Sequence, residues 1–155
     1  MPGRPAEPLT KERAASFVVN SLAAKAQSVT EIQAKLAARG VSPADAAAVV
    51  DDATRLGYLD DAELAGQLAR GFLSRGYGRR RASVALRRRA LAAAVAGAAL
   101  DSAYGETDEV SLARAALGSR PTRDDASRRR AAAFLARRGF SSAAAWQAVR
   151  ESEVD

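Results

Sequence analysis

The sequence predicts an all-α fold, built from tandem three-helix units of about 50 residues each that stack into an elongated, curved body. Three observations predict it. Alanine supplies most of a hydrophobic content of 48%, while aromatic residues make up only 5%. Alanine favours helix but buries little area, so such a core has to come from close helix–helix packing. Helix start and stop signals follow one another closely from Thr10 onward, with no β-branched or aromatic alternation to mark a strand. Finally, the chain repeats itself.

The elements follow in order. Residues 1–8 hold three prolines and a glycine and are expected to be disordered. A first helix runs from Lys11 to Lys25, with Phe17, Val18 and Leu22 as candidate core. Ser28 and Glu31 form a capping box that opens a second helix, and Gly40 stops it. Ser42 caps a third helix with Pro43 at its first position. Val49, Val50 and Leu56 continue its apolar side, and Gly57 ends it. Asp60 caps a fourth helix, in which Leu64, Leu68 and Phe72 form one buried stripe. Gly76-Tyr77-Gly78 breaks it. Helices over Arg79–Arg89 and Ala92–Tyr104 follow. A short helix covers Asp108 to Leu117, a loop spans Gly118 to Asp124, and a helix runs from Asp125 to Arg138. Ser141 caps the last helix, which carries Trp146 as a core residue and ends near Arg150.

The repeat is read from Leu36, Leu86 and Leu135, which lie 50 and 49 residues apart. Arg39, Arg89 and Arg138 match three residues later. Val41, Leu91 and Phe140 match as apolar residues after the break, and Val50, Leu100 and Val149 match further down. Ser28, Gly78 and Ser127 fall at the start of the same helix. The expected organisation is a disordered tail over 1–9, repeats over 10–57, 58–105 and 106–150, and an acidic tail over 151–155. Each unit alone is too small for a comfortable core, so neighbours share apolar contacts.

Composition excludes several function classes. With neither cysteine nor histidine among 155 residues, disulfides, thiolate nucleophiles and the commonest general base and metal ligands are absent. No GxxxxGK[ST] or GxGxxG phosphate loop occurs. Adjacent carboxylates such as Asp51–Asp52 and Asp124–Asp125 point about 100° apart on a helix and do not converge. No catalytic residue, metal or cofactor is therefore expected. No run of apolar residues is long enough to span a membrane. The first residues do not read as a secretory signal, so the protein is expected to stay in the cytoplasm; it is expected to be a monomer.

The net charge of +6 comes from 24 basic and 18 acidic residues, and 21 of the basic residues are arginine. Eight arginines and no acid lie between Arg70 and Leu100, and six more with no acid between Ala126 and Arg150. On a helical wheel Ala82, Ala85 and Leu86 cluster on one side, with Arg80, Arg81, Arg87 and Arg88 opposite. The matching helix of the third repeat turns Ala131, Phe134 and Leu135 inward and Arg129, Arg130 and Arg137 outward. In the first repeat the outward positions are Thr30, Glu31, Ala37 and Ala38. A basic face on two of three repeats suits phosphate or carboxylate partners, because the planar guanidinium fork pairs with both bidentately. An arginine-rich codon usage with a merely solvated face is the other reading. Tyr77 either stacks on a base or packs its ring on the unit below.

Gly57-Tyr58-Leu59-Asp60-Asp61, then Gly76-Tyr77-Gly78-Arg79-Arg80, then Phe134-Leu135-Ala136-Arg137-Arg138-Gly139-Phe140-Ser141, form a pattern that resembles the RecX family of bacterial regulatory proteins. The resemblance covers about Lys11 to Arg150. It implies tandem three-helix units and a partner, the RecA recombinase assembled as a filament on single-stranded DNA. Family members bind along the filament groove and mostly inhibit ATP hydrolysis, strand exchange and the SOS response, and some bind DNA directly. Placed on this chain, the filament- or DNA-binding residues would be Arg79, Arg80, Arg81, Arg87, Arg88, Arg129, Arg130, Arg137 and Tyr77. The chain departs from the pattern at Glu63 and Leu64, where arginine and phenylalanine are common, and at Ala90, where glycine is usual. The alternative is a stand-alone nucleic-acid-binding helical protein that acts through phosphate contacts, on single- or double-stranded DNA.

Overall fold

A computed structural model describes residues 7–153. Among these residues there are nine helices and no strand: α1 (Lys11–Ala24), α2 (Val29–Ala38), α3 (Pro43–Arg55), α4 (Asp61–Ser74), α5 (Arg79–Arg88), α6 (Ala93–Tyr104), α7 (Glu109–Leu117), α8 (Asp125–Arg137) and α9 (Ser142–Glu151). No helix among them is long and apolar enough to cross a membrane.

The caps explain most boundaries. Thr10, Ser28, Ser42, Asp108, Asp124 and Ser141 each accept, through a side-chain oxygen, the backbone N–H three residues on. Each satisfies a donor that the first turn leaves without an intrahelical partner. Ser28 and Glu31 make the expected reciprocal box. In the third repeat Ser127 lies within the first turn of α8, and Asp124 is the cap, with Ser127 returning the second bond. Asp60 accepts from the Glu63 N–H at 3.0 Å, as an N-cap does.

The chain forms two compact units. One runs to Leu64 and takes in Arg89–Leu91, and the other comprises Ala65–Arg88 and the chain from Ala92 onward. These divisions do not coincide with boundaries at 57 or 105. In the first unit α1 and α2 both pack on α3. Their core is Ala14 and Val18 of α1, Ile32 and Leu36 of α2, and Val49, Val50 and Ala53 of α3, closed by Val41 and Leu59. Phe17 and Leu22 are only partly buried against it, and Leu56 is exposed. Leu9 also packs on this core, so the expected tail does not extend through residue 9. Residues 1–6 of that tail lie outside the described residues.

In the second unit α7, α8 and α9 pack on one another, and α5 packs on α6. Ala113, Leu117, Ala131, Ala132, Leu135, Phe140, Ala145, Ala148 and Val149 form a core in which six of the nine side chains are alanine or valine. Such small side chains let helix backbones approach closely and keep packing dense without large anchors. In α5 the buried positions are Ala82 and Leu86. In α4, Leu64, Ala65 and Ala69 are buried, whereas Leu68 and Phe72 are half-buried. The buried stripe is therefore smaller in side-chain volume than the spacing of Leu64, Leu68 and Phe72 predicts. Of the expected acidic tail, Glu151 closes α9 and Glu153 pairs with Arg128, while 154–155 lie outside the described residues.

Trp146 is the clear correction. It is 38% exposed on α9, while the core-facing positions of that helix go to Ala144, Ala145, Ala148 and Val149.

Candidate functional site

The basic face of the second unit begins at a contact between two glycines. The Gly78 N–H donates to the Arg138 carbonyl at 2.8 Å, and the Arg80 N–H donates to the Gly139 carbonyl at 3.2 Å. The turn after α8 thus caps the start of α5, where no serine or aspartate stands to do so. A Cβ on Gly78 would lie 2.4 Å from the Gly139 oxygen, and one on Gly139 would lie 2.5 Å from the Arg81 nitrogen. Both positions need a residue without a side chain, and this close approach fixes where α5 projects its arginines.

The eight arginines of the expected site are all exposed, but they are not equivalent. Arg79 pairs with Asp101 at 2.5 Å. Arg81 donates to the Arg137 carbonyl at 2.9 Å and lies 4.9 Å from the Tyr77 ring centre. Both are engaged within the unit. Asp124, whose carboxyl is held below the usual range by the Ser127 backbone and hydroxyl donors, also feels the Arg130 charge. Among the described residues no side-chain hydrogen bond or ion pair engages Arg80, Arg87, Arg88, Arg129 or Arg137. Arg87 and Arg88 occupy the last turn of α5, where the helix dipole favours cations.

Two clefts gather the rest. Arg80 and Arg129 line one of about 360 Å³, with Ala132, Ala136, Phe140 and Trp146. Arg130 and Arg137 line another of about 280 Å³, together with Arg120, Ser127 and Phe134. Among the described residues no carboxylate lines either cleft. Arg120, whose guanidinium lies 3.5 Å from the centre of the Phe134 ring, stands in the loop after α7 and carries no sequence signal beyond its charge.

Tyr77 is half-buried. Its ring lies 5.4 Å from that of Phe72, and the guanidiniums of Arg138, Arg81 and Arg75 sit 4.1, 4.9 and 5.7 Å from its centre. Its carbonyl accepts the Tyr104 hydroxyl at 2.9 Å. Burial pushes the Tyr104 phenol above its ordinary value, which keeps it a donor. The Tyr77 ring is thus part of an alternating arginine–aromatic array within the unit, each contact of the kind that cations make with ring faces.

In the first unit the equivalent helix is not basic. Glu31 of α2 instead receives Arg89 at 3.1 Å, and the Arg89 guanidinium also donates to the Ala26 carbonyl at 2.7 Å. The Val29 N–H donates to Asp61 at 2.9 Å. Asp61 therefore tethers the start of α2. Among the described residues no group of three or more acidic side chains is placed to hold a metal ion.

No family model matches the chain. Individual proteins do. The chain is 35% identical over 154 residues to a regulatory protein RecX of Stenotrophomonas maltophilia, covering 98% of this chain and 92% of that protein. It is 32% identical over 157 residues to a regulatory protein RecX of a Mycobacterium species (strain JLS), covering 96% and 86%. Among solved structures, RecX from Lactobacillus salivarius matches with a TM-score of 0.80 at 14% identity, over 94% of this chain and 97% of that one. Another regulatory protein RecX matches at 0.74 and 16% identity, over 91% and 71%. These structural likenesses show the same helical fold.

Proposed function

This chain belongs to the RecX family of regulatory proteins, and from that premise we propose that it binds the RecA filament on single-stranded DNA. It docks along the filament groove and inhibits ATP hydrolysis, strand exchange and SOS induction. The observation that carries this reading is the set of guanidiniums left without internal partners on α5 and α8: Arg80, Arg87, Arg88, Arg129 and Arg137. Exposed arginines held on helices, with no carboxylate paired to them among the described residues, are suited to bidentate contacts with phosphates and acidic side chains. Arg79, Arg81 and Tyr77 support this face from within, and Arg130 extends it. The modules of this reading are the repeats at 10–57, 58–105 and 106–150. The protein works as a cytoplasmic monomer, and its action is binding rather than catalysis.

The cleft of Arg120, Arg130 and Arg137 around Phe134 favours a second reading, a free-standing nucleic-acid binder. Phosphate contacts alone give affinity that falls steeply with salt and is indifferent to RecA.

One experiment separates the two: DNA-dependent ATP hydrolysis by RecA, titrated with this protein at physiological salt and with DNA in excess. Inhibition well below the RecA concentration is the expected outcome. Inhibition only at amounts that coat the free DNA supports the second reading. No effect at any ratio overturns the first.

A further inference from the structure

Trp146 is the single tryptophan of the chain and it stands at an open cleft, 38% exposed. The cleft runs between α8 and α9. Ala132, Ala145 and Phe140, all buried, form its floor, while Ala133, Ala136 and Trp146 rise at its sides in contact with water. Arg80 from α5 and Arg129 from α8 flank it. Neither has a carboxylate partner among the described residues.

We propose that this cleft is a docking groove for an acidic peptide segment of a partner protein, one that seats an aliphatic or aromatic side chain on the alanine floor against Trp146 and offers carboxylates to Arg80 and Arg129. Several features argue for it. A cleft of about 360 Å³ is much larger than an inorganic anion needs, and its lining, apart from the two arginines and Ser142, is apolar. The small alanines leave room for a side chain to enter. Tryptophan and arginine are the residue types that most often dominate binding energy, and here both flank one apolar floor. Two cations at the rim of an apolar trough select against basic and neutral peptides through charge complementarity. A nucleic-acid strand suits the groove less, since the cleft gathers only two cations and presents alanine rather than further aromatic faces to stacked bases. The groove stands on the geometry of α5, α8 and α9 and does not depend on the filament reading.

Trp146 reports on its own site. The test titrates the full chain with an eight-residue peptide of alternating aspartate and leucine while Trp146 emission is followed. Its asparagine counterpart and an oligothymidylate of similar length serve as comparison probes. The expected result is a saturable change with the acidic peptide and at least tenfold weaker binding of the asparagine peptide. Two variants with unchanged helicity are expected to bind the acidic peptide at least tenfold more weakly. One is Arg80→Ala with Arg129→Ala, and the other is Ala136→Glu, which places a like charge on the groove wall. No response at millimolar peptide, equal binding of the neutral peptide, or full binding by Ala136→Glu overturns the proposal. Tighter binding of the oligothymidylate than of the peptide also overturns it, in favour of a nucleic-acid trough. The assay contains no filament, so its failure and the failure of the filament reading are seen separately.

Discussion

The guanidinium of Arg138 donates to the backbone carbonyl of Arg75 at 2.6 Å, with a longer bond of 3.4 Å to that of Gly76. Arg89, 49 residues earlier, makes the same contact in the first unit, donating to the Ala26 carbonyl at 2.7 Å. Donor and acceptor are each displaced by 49 residues, from 89 to 138 and from 26 to 75. The repeat therefore recurs as a physical interaction, in which an arginine following a helix ties down the turn before an earlier helix. Turn carbonyls have no helical partner, and a rigid fork of donors reaches two of them at once. Arg39 occupies the matching place in the first copy, and its guanidinium lies instead 4.0 Å from the centre of the Phe17 ring.

Arg138→Ala removes these bonds and the contact with the Tyr77 ring. Hydrogen bonds from a charged donor contribute about 1.5–3 kcal/mol each where they are shielded, so a loss of about 2 kcal/mol is expected. Arg138→Lys recovers little, because an ammonium has no fork. Urea unfolding followed by helicity gives the comparison. A lysine variant as stable as the parent would assign the effect to charge alone.

Ala90→Gly is expected to stabilise the protein. Ala90 has φ +56, and it is the only non-glycine with positive φ among the described residues. Gly40 and Gly139, at φ +73 and +97, hold the matching places after α2 and α8. A left-handed conformation costs a residue with a Cβ about 1–2 kcal/mol. Relief of that strain, less the added entropy of a glycine in the unfolded chain, predicts a gain of about 0.5–1 kcal/mol. Gly139→Ala is expected to lose more than Ala90→Gly gains, because its Cβ would also press on the Arg81 backbone nitrogen. Thermal denaturation of both variants measures the pair.

Much of this was legible in the residues. Ser28, Ser42, Pro43 and Ser141 mark helix starts through chemistry confined to three or four neighbours, and the structure places helices where they say. The break residues Gly40 and Gly139 and the odd Ala90 stand in one alignment because one backbone conformation recurs there. What escaped the sequence was tertiary. Trp146 reads as core because large aromatics usually are, but alanines fill the inner face of α9 and leave it no room. The target of Arg138 is a pair of carbonyls, which every residue has, so no pattern announces it. Arg120 joins Arg130 and Arg137 across a loop whose course the sequence does not encode locally.

Acid is expected to weaken the first unit through Glu31. Burial raises this carboxyl's pKa, but the Ser28 N–H and hydroxyl and the Arg89 guanidinium outweigh it, and the net value is lowered from the ordinary 4.5. A carboxylate with a folded pKa below its unfolded one contributes stability that is complete above the unfolded value and is lost as pH falls through the folded one. Glu31→Gln should therefore be less stable than the parent at pH 7, and the gap should close as pH falls below 4.5. Urea midpoints of the two proteins at pH 7, 5 and 3 test the sign. A gap that widens in acid would mean that Glu31 is better bound protonated.

Charge removal on the basic face should separate the arginines with internal partners from those without. Arg80, Arg87 and Arg88 have no side-chain partner among the described residues, whereas Arg79 pairs with Asp101 and Arg81 binds the Arg137 carbonyl. The triple variant Arg80→Ala, Arg87→Ala, Arg88→Ala is expected to keep its helicity and melting temperature. It should need at least tenfold more protein for half-inhibition of RecA ATP hydrolysis. The double variant Arg79→Ala, Arg81→Ala is expected to show the reverse balance, with a lower melting temperature and a smaller loss of inhibition. On bare single-stranded DNA, each phosphate contact removed lowers the slope of log affinity against log salt by about 0.7. Three lost contacts therefore predict a slope shallower by about 2. If the triple variant changes that slope but leaves inhibition of RecA untouched, these arginines serve DNA rather than the filament. If neither moves, the face is solvated and the arginines reflect composition alone.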